Sequence, residues 1–118
     1  MQHDFNKLDV YNRSVDLACQ IVELSERILS KRLSEQLLGS AVSIASNIAE
    51  GAYRGTNRQF IQFLYYANGS VAELTAQLSI LQKSNKYSEI PYDSLIDESK
   101  QISKMIFALI RNMRSRPN

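Results

Sequence analysis

A chain of 118 residues, 44% hydrophobic and 22% charged, with 4 glycines and 2 prolines, fits one folded domain with a sizeable core and excludes disordered and collagen-like classes. Its 14 basic and 12 acidic side chains leave a formal charge of +2, too small by itself to imply a polyanionic partner. A lone Cys19 excludes an internal disulfide, residues 1 to 10 lack an apolar signal core, and no run approaches the ~20 apolar residues of a membrane span. A cytoplasmic protein is expected, with Cys19 as a half-buried apolar side chain.

The first periodic segment predicts a helix over residues 8 to 29. Its seam is Leu8, Tyr11, Val15, Ala18, Val22, Ser25 and Leu29, widened on one side by Leu17, Ile21, Leu24 and Ile28. Ser34 is placed to cap a second helix over residues 35 to 53, in which Leu37, Ala41, Ile44 and Ile48 form one apolar line. Leu38, Val42, Ala45, Ala49 and Ala52 form another, and the interspersed Gly39, Ser40, Ser43 and Ser46 allow neighbouring backbones to come close.

Gly51 to Gly55 ends that helix, and Thr56-Asn-Arg-Gln59 matches a capping box for a third over residues 57 to 83. Phe60, Leu64, Ala67, Val71, Leu74, Leu78 and Leu81 give it the cleanest register in the chain. Pro91 opens a fourth helix over residues 92 to 113, with Leu95, Ser99, Ile102, Ile106, Leu109 and Met113 on its seam, before Pro117 marks a frayed end. Four amphipathic helices joined by short links predict an all-α, antiparallel up-down-up-down four-helix bundle forming a single domain over residues 1 to 118. Tyr65, Tyr66 and several alanines off the third seam leave apolar surface that favours self-association.

Polar residues inside this pattern need no substrate. Asn47 and Glu50 lie among Ile44, Ile48 and Ala49, where an amide can specify register, and a ligand site is the alternative. Glu50 and Arg54, four residues apart, can pair, and Glu73 could reach across from the third helix to the second. No Glu-x-x-His pattern supports a metal, since the one histidine, His3, sits in the terminus. Ser43, Ser46 and Ser70 lack a histidine base, and Gly51, Gly55 and Gly69 form no phosphate loop, reading instead as helix ending and close packing. Neither a cofactor nor a small-molecule substrate is expected, and no enzyme.

Charge is unevenly spread. Asp4, Asp9, Asp16, Glu23 and Glu26 outnumber the bases before residue 30, whereas every charge after Glu98 is basic. In an antiparallel bundle Arg54 and Arg58 share one end with Arg111, Arg114 and Arg116, while Lys31 and Arg32 lie at the other, roughly 27 Å away. Gathered at one end, those five arginines make a basic patch suited to RNA or DNA; solvated helix-end charge is the other reading.

The stretch Ser43-Ile-Ala-Ser-Asn-Ile-Ala-Glu-Gly51 with Arg54 resembles the SIxxNIAEGxxR signature of a family of small bacterial four-helix bundles. Phe60, Phe63, Leu64, Ala67-Asn-Gly-Ser70 and Glu73-Leu-Thr-Ala-Gln-Leu78 resemble its third-helix pattern. Members are encoded within intervening sequences of bacterial large-subunit ribosomal RNA genes, and the family is similar to the accessory protein of diversity-generating retroelements. That relative is a five-membered ring that binds nucleic acid and a reverse transcriptase. The resemblance therefore implies a homo-oligomer, a pentamer by that analogy, with an adaptor or nucleic-acid role, a nucleic-acid enzyme as a candidate partner, and no catalysis. Its motif residues are Ser43, Asn47, Glu50, Gly51 and Glu73. Leu38 and Gly39 stand where the family often carries two arginines, and the first link is shorter than usual, which removes phosphate contacts from each subunit.

Overall fold

The computed structural model describes residues 4–116, so His3 and Pro117 lie outside the described residues. A single 3₁₀ turn, Phe5–Lys7, is followed by four α-helices: α1 Asp9–Ser25, α2 Lys31–Tyr53, α3 Asn57–Ser84 and α4 Tyr92–Arg114. They run alternately up and down, each packed on the next in sequence, α4 closing back on α1, and no strand occurs among the described residues. The rod measures 49 × 20 × 20 Å.

Helix ends follow local chemistry. Ser30, not Ser34, caps α2 by accepting the Leu33 N–H, so the helix starts four residues earlier than the periodicity suggests. Ser34 is used differently, its hydroxyl donating to the Ser25 carbonyl at the end of α1. Thr56 Oγ1 accepts the Gln59 N–H at 3.1 Å, but the Gln59 side chain accepts from the Thr56 hydroxyl and leaves that residue's backbone, so half of the capping box forms. Pro91 is the N-cap of α4, and Asn85, in the left-handed region at φ 58°, stops α3.

One interior line runs through all four helices. All seven register positions of α3 from Phe60 to Leu81 are buried, as are Leu37, Ala41, Ile44 and Ile48 of α2. On α4 the seam holds except that Ile110 is buried where Leu109 is half-buried. Helix α1 is rotated from its expected seam. Val10, Ser14, Leu17, Ile21 and Leu24 are its buried side, with Ile28 beyond it, whereas Val15 and Ala18 are half-buried and Val22 is exposed. Two adjacent apolar stripes compete on this helix, and the one with the larger Leu and Ile side chains removes more apolar area from water when turned inward. The helix also ends at Ser25, because tight i to i−3 bonds at Arg27 and Ile28 turn the chain and leave Leu29 92% exposed. Cys19 rotates outward with the second stripe and is exposed, not half-buried.

Candidate nucleic-acid interface

The end of the bundle where α2 hands over to α3 also receives the end of α4. Asn57, the first residue of α3, is buried and donates through Nδ2 to the Arg116 carbonyl at 2.8 Å. That bond, between residues 59 apart in sequence, holds the chain just past the end of α4 against the start of α3. It brings Arg54 and Arg58 to the same end as Arg111, Arg114 and Arg116, all five exposed.

Their electrostatic situations differ. Arg54 donates through Nε to Glu50 Oε2 at 2.7 Å and its guanidinium lies 5.0 Å from the centre of the Phe63 ring, so part of its charge is answered within the chain. Arg58 and Arg111 have no ion-pair partner among the described residues. Arg58 stands in the first turn of α3, where the helix dipole disfavours a cation, while Arg111 and Arg114 stand in the last turn of α4, where it favours them. Arg114 donates to the Tyr65 hydroxyl at 2.6 Å with its guanidinium 5.6 Å from that ring, and Tyr65 meets Phe107 edge to face at 6.4 Å.

Tyr65 and Phe107 thus put two partly exposed aromatic side chains beside Arg114, and aromatic rings next to cations are the combination on which single-stranded bases stack. Phe107 was missed by sequence reasoning. The spacing Lys104, Phe107, Arg111, Arg114, which places these side chains along one outer face of α4, was the available signal.

The motif residues lie along the α2–α3 seam. Ser43 and Ser70 share a hydroxyl hydrogen bond of 2.8 Å across it, and Asn47 donates to the Ser43 carbonyl and Oγ at 2.8 and 2.9 Å. Gly51 is buried, and a Cβ there would sit 2.7 Å from Phe63 Cβ. Gly69, by contrast, has no atom within 4 Å of that position, so close packing inside the chain does not account for it. Glu73 is exposed and borders a shallow groove with Gln36, Gly39, Ser43 and Gln77 without an ion pair to α2. Among the described residues no three His, Cys, Asp or Glu side chains are grouped to hold a metal, and no helix is long and apolar enough to cross a membrane.

No curated protein matches the chain. Among solved structures it is similar to a protein of unknown function from the S23 ribosomal protein family of Bacteroides thetaiotaomicron, with 27% identity, a TM-score of 0.79, and coverage of 86% of this chain and 97% of that one. The sequence model of the 23S rRNA-intervening sequence protein family matches residues 6–108, from the opening 3₁₀ turn into the later turns of α4, and the chain belongs to that family.

Proposed function

We propose that the protein is a non-enzymatic, homo-oligomeric scaffold or adaptor that contacts RNA or DNA through the arginine-rich end of the bundle. The observation that carries this reading is the convergence of Arg54, Arg58, Arg111, Arg114 and Arg116 at one end, tied by the Asn57 to Arg116 bond and flanked by Tyr65 and Phe107. Cations neutralise phosphate and the aromatic faces accept bases, a pairing that serves single-stranded nucleic acid without demanding sequence specificity. Assembly multiplies a small patch: a few cations per copy become a continuous rim when copies share an axis. Resemblance to the accessory protein of diversity-generating retroelements supports a ring, with five copies by analogy.

Solution mass measured by light scattering, with and without a short RNA or DNA strand at low and moderate salt, tests the reading. An oligomer that gains mass with nucleic acid and loses it as salt rises is expected, and Arg111→Glu/Arg114→Glu weakens that binding at least tenfold. Unchanged binding by the variant sinks the rim. An oligomer indifferent to RNA and DNA alike sinks the nucleic-acid role and leaves a protein-only interaction oligomer.

A further inference from the structure

The outward side of α3 carries two exposed tyrosines next to each other, Tyr65 and Tyr66. As consecutive residues they leave the helix about 100° apart. Tyr65 leans toward α4, where it meets Phe107 edge to face and its hydroxyl accepts from Arg114. Tyr66 lies on the α2 side, one turn before the Ser70 that reaches Ser43 of α2. It meets Phe63 edge to face at 5.4 Å, and its hydroxyl accepts from Gln62 at 2.8 Å. Each ring is thus fixed by one phenylalanine and one hydrogen bond. Phe63 packs toward Gly51 of α2 and Phe107 belongs to α4, so both supports stand on the far flanks of the pair.

What lies between the tyrosines is set by Gly69. A helical side chain lies back over the turn before its own Cα, so a side chain at this position, one turn on, would fill the space between the two rings. Gly69 has none, and no atom stands within 4 Å of where its Cβ would be. Glycine weakens a helix interior relative to alanine, and neither a turn nor internal packing calls for it here. The result is a cleft with two aromatic walls and a floor of bare backbone. Its surroundings are cationic on three sides. Arg114 lies 5.6 Å from the Tyr65 ring, Arg54 lies 5.0 Å from the Phe63 ring, and Arg58 stands two turns before Tyr65 on the same outward line, about 10 Å away. Of the neighbouring carboxylates, Glu50 is engaged with Arg54, and Glu73 stands one turn beyond Gly69, away from the arginines.

We propose that this cleft receives one unpaired nucleobase of a single strand, laid on the Gly69 backbone between Tyr65 and Tyr66, with the flanking phosphates led toward Arg58 and Arg114. This rests on the nucleic-acid reading above and names its ligand. A base enters such a cleft only when its own faces are uncovered, which selects a single strand over a duplex. Every base has a flat π-face, so the walls impose no sequence preference. Both tyrosine hydroxyls act as acceptors within the chain, which leaves each O–H proton to donate to a phosphate oxygen or a base edge. Because the rings are already fixed, binding costs little side-chain freedom. An apolar side chain of a protein would suit the walls but leave the surrounding arginines unanswered, whereas a strand answers both.

Filling the cleft tests it. A short fluorescent RNA of mixed sequence, alone and paired with its complement, is titrated with the full chain by anisotropy over a range of salt. The parent should hold the single strand about tenfold or more tighter than the duplex. Gly69→Leu introduces a good helix former and removes no cation. It should lower single-strand affinity about tenfold or more, while helix content, solution mass and the slope of log affinity against log salt stay as in the parent. Tyr66→Leu should match it, whereas Arg111→Glu/Arg114→Glu lowers the slope as well as the affinity. A parent indifferent to pairing of the strand, or Gly69→Leu binding like the parent, overturns the cleft and leaves the arginine patch standing. A loss of affinity in Gly69→Leu that comes with a changed solution mass assigns Gly69 to a contact between copies and overturns the cleft as well. A parent that binds neither strand nor duplex overturns the cleft and the nucleic-acid reading together.

Discussion

Helices α2 and α3 meet through small side chains that let their backbones close in, whereas α1 meets α4 across longer, charged ones. At the first seam Gly51 faces the backbone and Cβ of Phe60 and Phe63, and Ser43 reaches Ser70. At the second, Arg13 spans the gap with a bidentate grip on Glu98 and a further contact to Met105 Sδ, and a cleft between Gln20, Glu23, Pro91 and Leu95 stays open toward one end. The close seam tolerates no added volume. The wide one tolerates changes of side chain, because solvent screens its charges and its apolar contact is thin.

The sharpest way to break this comparison uses one substitution at two glycines. Gly51→Ala should destabilise by about 1 to 3 kcal/mol, since the new Cβ meets Phe63 Cβ, which truncating Phe63 to Ala does not remove. Gly69→Ala, in an exposed helix interior with open space around it, should stabilise the dilute chain by about 0.8 to 1.0 kcal/mol. Urea midpoints of opposite displacement check both. Equal signs would mean that the α2–α3 seam yields more readily than its distances imply.

A smaller effect is expected at the other seam. Side chains of Arg13 and Glu98 are 42% and 29% exposed, so a double-mutant cycle with Arg13→Met and Glu98→Gln should give a coupling of about 0.2 to 1 kcal/mol that shrinks with added salt. The Glu98 hydrogen bond holds the Arg13 guanidinium above its usual pKa, opposed by burial and helped by the Glu98 charge. A salt-independent coupling would place the pair in a drier setting than these exposures describe.

The smallest effect at neutral pH belongs to Tyr92, at the start of α4. Burial, then the negative charge of Glu89, raises its pKa above the usual 10, and its hydroxyl donates to the Tyr87 carbonyl at 2.9 Å. A folded state that holds the proton more tightly contributes stability that is fully present below the unfolded value. That contribution is lost as pH rises through the raised folded one. Tyr92→Phe should flatten this alkaline loss in chemical denaturation measured across that range, and an unchanged slope would assign the loss to other groups.

How much could be read in advance varied by helix. The α3 register was legible in full because a single apolar stripe runs its length, so only one rotation buries it. On α2 the buried line was legible but its start was not, since Ser30 and Ser34 are both able to cap and the choice depended on the Ser25 carbonyl, which claims Ser34. At the candidate interface the Glu50–Arg54 pair followed from four-residue spacing. The approach of Arg114 to Tyr65, and of Asn57 to Arg116, joins residues 49 and 59 apart, and nothing local encodes it.

Sequence alone determined the number of helices, their approximate limits, their antiparallel order and the end at which the arginines gather. Helical periodicity, capping chemistry and short links are local and leave little choice. Tertiary structure decided which of two apolar stripes α1 turns inward. It thereby set the outer face that carries Tyr11, Val15, Ala18 and Val22, because burial of the larger stripe against α2 and α4 together is a property of the whole core and of no single segment.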